Sequence, residues 1–199
     1  MNIDLILIVG ALIFTVSSLY FAFSSRKSDG INSALIVSFI TLVSYLVFIE
    51  GSLVSTTTSG DPLFWTRWAG YIVSCSLLMW YIAGRIEIEL SSKVELLFLN
   101  AICMASGAFA SVFTGWMMIW MFLAGGVAFV MMLYKLWQGN PEKLAPIKKY
   151  IYFGWCLFPV VFILSPEGFG LLPTAISLIV LLVLDIFTKI LFYLESAKS

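Results

Sequence analysis

Three ionisable side chains stand where the sequence is otherwise apolar: Arg67, Asp185 and Lys189. Each falls inside a stretch of about 20 mostly apolar residues, the length that crosses a bilayer as a helix. An ionisable group in that setting costs roughly 2.5–3.5 kcal/mol on insertion scales and marks a functional site by default. Asp185 and Lys189 are four positions apart. On a helix that spacing puts both on one face, about 6 Å apart along the axis. One use of such a pair is to lock helices together. Another is chemical: a desolvated lysine amine loses its proton readily and attacks a carbonyl to form a Schiff base, which a neighbouring carboxylate stabilises once protonated.

The composition agrees with a chain made for lipid. Of 199 residues, 61% are hydrophobic and 11% charged, and the mean hydropathy is +1.04. A soluble domain is about half apolar and a quarter charged. A soluble enzyme is therefore excluded, and no enzymatic activity is expected. Net charge is zero, which lacks the basic footprint that nucleic acid requires. The chain has no histidine, and Cys75, Cys103 and Cys156 lie apart in apolar runs. Neither a metal site nor a disulfide framework is expected from such spacing.

Seven apolar stretches, 4–23, 31–50, 62–84, 94–113, 116–137, 148–165 and 170–194, predict an all-α membrane protein. The architecture is a seven-transmembrane-helix bundle forming a single domain over 1–199. Polar or glycine-containing breaks separate the stretches: Ser24–Gly30, Gly51–Asp61, Arg85–Lys93, Thr114–Gly115, Gln138–Lys149 and Ser165–Gly170. The first stretch lacks a positive leading segment and carries Asp4, so it reads as a mature helix rather than a signal peptide. Alternate loops and helix ends hold Arg26, Lys27, Arg85, Lys93, Lys135, Lys143, Lys148, Lys149 and Lys198, and the opposite loops hold no basic residue. By the positive-inside rule the N-terminus is extracellular and the C-terminus cytoplasmic in a multi-pass protein of the cell membrane.

The surroundings of the charged residues choose between lock and chemistry. Positions 67, 70, 74, 78 and 81 share one face of the third helix. The sixth carries Trp155, Phe158 and Pro159, with Phe162 one turn on, and the proline is expected to kink it. Trp116 and Trp120 lie in the fifth. Each aromatic taken singly reads as packing or an interfacial belt. The joint pattern, with a buried lysine and its aspartate in a seven-helix bundle, is far more specific.

These residues resemble the microbial rhodopsins over the whole chain. Asp185-x-x-x-Lys189 is similar to the family's retinal-binding motif, Arg67 to its third-helix arginine, and Trp155, Phe158 and Pro159 to its sixth-helix aromatic–aromatic–proline pattern. Tyr45 followed by Gly51 resembles the family's second helix. The resemblance implies all-trans retinal bound as a Schiff base to Lys189, with Asp185 as counterion. It also implies a pocket of Tyr71, Ser74, Cys75, Leu78, Trp116, Trp120, Trp155, Phe158, Pro159, Phe162 and Thr188. Leu78 at the family's colour-tuning position implies green absorption, with Thr188 pulling the other way. Within the family the likeness is greatest to the schizorhodopsins and Antarctic rhodopsins, inward proton pumps. Their third-helix Phe–Ser–Glu pattern falls on Gly70, Ser74 and Tyr81, of which Ser74 alone matches.

Gly70 stands where outward pumps place a proton-accepting carboxylate, and Tyr81 where they keep a cytoplasmic donor. The implied function is a light-driven inward proton pump. The alternative is a photosensory retinal protein without net ion transport, though the short C-terminus and the lack of a signalling domain weigh a little against it. With Arg67, Asp185 and the imine on Lys189 as the core charges, the formal sum is +1. Asp185 would be supported by Arg67 and by hydroxyls such as that of Tyr45. The proton would leave past Ser74, Cys75, Tyr81 and Asn100 to an acidic rim of Glu87, Glu89 and Glu195, although such acids also serve as plain solvated helix ends. Partners expected are membrane lipids, retinal and, by resemblance, other copies in a trimer. The small-residue run Ala124-Gly125-Gly126 suits close helix contact within or between subunits.

Overall fold

The computed structural model describes residues 3–24, 29–57 and 60–196, so Arg26, Lys27 and Lys198 lie outside the described residues. Seven helical rods form the bundle: α1 Ile3–Phe23, α2 Asp29–Glu50, α3 Trp65–Arg85, α4 Leu90–Ala110, α5 Gly115–Trp137, α6 Lys149–Leu164 and α7 Thr174–Ser196. Five of them are long and apolar enough to cross a membrane by composition alone. The others are α3, which carries Arg67 with several hydroxyl and indole groups, and α6, which is shorter.

The helix ends differ from the apolar stretches where local chemistry intervenes. Positions 62–64 are not helical. Pro62–Phe64 pairs antiparallel with Val54–Thr56, Ser55 facing Leu63, in a short hairpin before α3. The Trp65 indole N–H donates to the Ser55 hydroxyl at 2.8 Å, and the Thr174 hydroxyl donates to Asp61 at 2.8 Å, tying the hairpin to the start of α7. The fourth helix runs from 90 to 110 rather than 94 to 113. Before it the chain reverses at Glu87, whose φ is +61°, and Ser91 donates to Glu89 at 2.7 Å. Between α5 and α6 a single turn, Pro141–Leu144, is capped by Asn140, whose side-chain oxygen accepts from the Glu142 and Lys143 N–H groups.

Two rods change their winding. Lys149–Trp155 in α6 and Ile186–Leu191 in α7 are π-helical, and the two segments pack against each other. Pro159 has no N–H for the Trp155 carbonyl, four residues back, and α6 returns to ordinary α winding immediately after Trp155. Single π turns inside helices are frequent at functional sites, and Lys189 lies in one of these.

The rods form a ring that closes where α1 meets α7. Backbone packing is close at every seam except that between α5 and α6. One buried cluster fills the end of the bundle near Tyr81, with Ile82, Ile86, Leu96, Leu136, Ile151 and Phe192. A second, with Phe14, Tyr45, Phe48, Phe64 and Leu178, fills the space between α1, α2 and α7. Between membrane helices lipid is as apolar as the partner, so van der Waals fit and hydrogen bonds hold such contacts.

Candidate functional site

The π turn of α7 carries Lys189 into the bundle interior, where it is 2% exposed, and Asp185 sits one turn before it at 3%. The Lys189 Nζ lies 2.8 Å from Asp185 Oδ1 and donates to the Thr41 hydroxyl of α2 at 3.3 Å. Thr41 in turn donates to the Val37 carbonyl at 2.8 Å, which leaves its oxygen turned to the amine. The Nζ also stands 4.4 Å from the centre of the Tyr71 ring, close enough for a cation–π contact. The Tyr71 hydroxyl donates to the second Asp185 oxygen at 3.2 Å. Thus the aspartate is held from both oxygens, by α3 and by its own helix.

Arg67 does not reach Asp185 in this arrangement. Its guanidinium forms a buried ion pair with Glu167, in the turn between α6 and α7. Glu167 is 8% exposed, and its second carboxylate oxygen has no hydrogen-bond partner. The turn Ser165–Gly170 is therefore more than a connection. Among the described residues, four core charges, two of each sign, replace the three expected, and the formal sum becomes zero instead of +1. Asp185 takes its hydroxyl support from Tyr71; Tyr45 instead lines a small neighbouring cavity. That cavity measures about 20 Å³ and is also lined by Ser44, Gly70 and Ser74. It is large enough for one water molecule. A Cβ on Gly70 would stand 2.4 Å from the Ser44 hydroxyl oxygen, so this position faces α2 and is confined by it.

A larger cavity of about 380 Å³ begins at Lys189 and runs between α3, α4, α5 and α6. Its volume falls within the range of about 300–1,000 Å³ for small-molecule sites. Tyr71, Cys75, Leu78, Trp155, Phe158, Pro159, Phe162 and Thr188 all line it. Ser74 faces the smaller space instead, where its hydroxyl has no hydrogen-bond partner. The fit to a long apolar aldehyde is good: aromatic and aliphatic walls, and one buried amine at the end.

Trp116 and Trp120 do not line this cavity. They are 77% and 63% exposed on the outer face of α5. Phe122, Gly125, Gly126 and Phe129 line it instead. Trp120 and Phe122 are two residues apart, about 200° around a helix, so a helix that turns Phe122 inward turns Trp120 out. Gly125 faces α4, where a Cβ would meet the Cys103 carbonyl at 3.3 Å. Its close contact is within the subunit.

The residues of the expected proton path do not form one chain. Asn100 is fully buried and donates from α4 to the Ile72 carbonyl at 3.0 Å and the Ser76 hydroxyl at 2.9 Å, beside the large cavity. The Tyr81 hydroxyl shares a 2.7 Å hydrogen bond with Ser196, whose carbonyl accepts from Arg85 at 2.8 Å. Glu195, next along, pairs with Lys149 at 2.8 Å and accepts from the Tyr150 hydroxyl. Glu89 is exposed. Glu87 lies 2.7 Å from Lys143, and Asn140 donates to it at 3.0 Å. Hydrogen bonding from the Lys143 ammonium, then from Asn140, holds the Glu87 carboxyl below the usual carboxylate range. A depressed folded value makes this contact favourable above the unfolded carboxylate value of about 4.3, and the benefit is lost as pH falls through the folded value. The thermal bleaching midpoints of Glu87→Gln and the parent are expected to differ slightly at neutral pH and to converge in acid.

Sequence reasoning missed Glu167 and Thr41. An unneutralised Arg67 was a signal for the first: few acids lie in the loops at that end, and Glu167 is one of them. No signal marked Thr41 among the other hydroxyls of α2.

Comparison with known proteins agrees with this geometry. The sequence profile of the bacteriorhodopsin-like proteins matches residues 1–194. The crystal structure of schizorhodopsin 4 superposes with a TM-score of 0.94 at 34% identity, covering 100% of both chains. A bacteriorhodopsin of Haloterrigena sp. (strain arg-4) is 26% identical, covering 92% of this chain and 82% of its own. Sensory rhodopsin-2 of Haloarcula vallismortis is 22% identical over 76% of this chain and 69% of its own. The family includes light-driven pumps and sensors whose chromophore is retinal. A whole-length profile match, the seven-helix bundle and the apolar cavity ending on a buried amine together place this chain in the bacteriorhodopsin-like family of retinal-binding membrane proteins.

Proposed function

We propose that Lys189 holds retinal through its Nζ as an imine, that Asp185 is the counterion, and that the chain is a light-driven inward proton pump of the cell membrane. The N-terminus lies outside and the C-terminus inside, as the distribution of basic residues supports. Retinal, when bound, supplies a light-driven change in the position and proton affinity of that nitrogen.

One observation carries the direction. The Lys189 nitrogen faces a single carboxylate, and both oxygens of that carboxylate are already engaged, by the amine and by Tyr71. Gly70 offers no acid on α3, and Glu167 is paired with Arg67. Among the described residues, the buried carboxylate on the Glu167 side is ion-paired with Arg67 rather than with the Lys189 nitrogen. A proton leaving Lys189 is directed toward the Tyr81 end, past Ser74 and Cys75 to the Tyr81–Ser196 contact and the rim of Glu87, Glu89 and Glu195.

The test is the external pH of an unbuffered suspension of retinal-supplied cells under green light, with and without a protonophore. Alkalinisation abolished by the protonophore is expected; acidification defeats the Gly70 argument. Glu87→Gln combined with Glu89→Gln is expected to slow the alkalinisation, and unchanged transport takes those two acids out of the path. Leu78, Met79 and Ile82 are buried to 2% exposure or less between Ser74 and the inner rim. That apolar stretch of α3 favours the second reading, a photosensor, if coloured cells give no pH change.

A further inference from the structure

We propose that the seam between α5 and α6 is the port through which retinal passes from the lipid to Lys189, and that Gly126 is its threshold. The inference rests on the reading of Lys189 as the attachment site.

Residues that line the large cavity at this seam are themselves accessible. Gly126 and Val130 both line it, yet Gly126 is exposed and Val130 is 64% exposed. The wall of the cavity at these two positions is therefore formed by accessible residues. The backbones of α5 and α6 stay apart here, while α5 packs closely on α4. Rings bridge the seam on either side of these positions: Phe122 stacks on Phe162 at 5.8 Å, and Trp137 meets Tyr152 at 5.5 Å. A Cβ placed on Gly126 meets nothing within 4 Å, in contrast to the crowded Gly125 beside it.

The other ways in are worse. At one end stands the buried Arg67–Glu167 pair, and parting buried charges is costly. At the other, Ile82, Leu136 and Ile151 are fully buried and Tyr81 is bonded to Ser196. An apolar polyene already dissolved in the bilayer needs to cross neither barrier at the lateral seam. It exchanges lipid contacts for cavity contacts without passing through water.

The experiment uses membranes containing the full chain expressed without retinal. All-trans retinal is added in lipid vesicles, and the rise of visible absorbance is followed. Gly126→Leu is expected to slow the rise about tenfold, equivalent to about 1.4 kcal/mol at the barrier. Val130→Ala is expected to speed it. Val127→Leu, exposed on the same helix but outside the cavity lining, is expected to leave it unchanged. Loading of Gly126→Leu at the parent rate overturns the port. If Gly126→Leu forms no pigment at all, Val130→Ala decides: faster loading supports the port and an unchanged rate overturns it. A parent protein that never colours defeats the attachment reading, a failure visible before any variant is compared.

Discussion

Lys189→Ala is expected to abolish all visible absorbance of the retinal-supplied protein. Among the described residues, Lys189 supplies the single lysine amine of the cavity, and an imine needs a primary amine. The variant also leaves Asp185 buried without its cation, and breaking one side of a buried pair costs about 3–5 kcal/mol. Loss of colour could then follow from loss of fold. Lys189→Ala combined with Asp185→Asn separates the two, because it removes both charges and leaves Tyr71 a neutral partner. The double variant is expected to keep the helical circular dichroism of the parent and to remain colourless. Colour at the parent wavelength in either variant would show that retinal is held elsewhere.

The bundle was legible because lipid imposes a simple rule: apolar runs of one length, divided by polar turns. Lys189 and Asp185 were legible because an ionisable pair in such a run has few uses; the cavity walls were implied by the resemblance to the microbial rhodopsins. What escaped had physical reasons. α5 is apolar around its whole circumference, so its sequence does not mark which face turns inward. Trp116 and Trp120 drew attention by their size, whereas the inward face belongs to Phe122, Gly125 and Gly126. The hairpin before α3 depends on pairing across the intervening residues 57–61, which apolar periodicity does not register. The π turns lie where α6 packs on α7 and leave no mark in composition. Glu167 stood in a glycine-rich turn, where an acid normally meets water; burial depends on Arg67, 100 positions earlier, and local sequence does not carry that distance.

Glu167 is accordingly the place for the second large effect. Glu167→Gln keeps the shape of the side chain but leaves the Arg67 guanidinium buried without an anion. The expected loss is about 3–5 kcal/mol, read as a fall in the thermal bleaching midpoint on the order of 10 °C, at roughly 2–4 °C per kcal/mol for a chain of this length. The penalty comes from the unpaired charge rather than from a lost attraction, and this distinction is testable. Replacing both members of a buried pair is often close to neutral, so Arg67→Gln with Glu167→Gln is expected to recover most of the lost midpoint. The sum of the two single effects would then exceed the double effect, with a coupling toward the upper end of the usual range of about 0.5–3 kcal/mol for contacting residues. Additive losses would mean that Arg67 finds another anion when Glu167 is gone, and Asp185 is the buried carboxylate nearest to hand in the same cavity. In that case the zero charge sum of the interior would not depend on the α6–α7 turn, and Arg67 would be free to serve the counterion as the sequence alone implied.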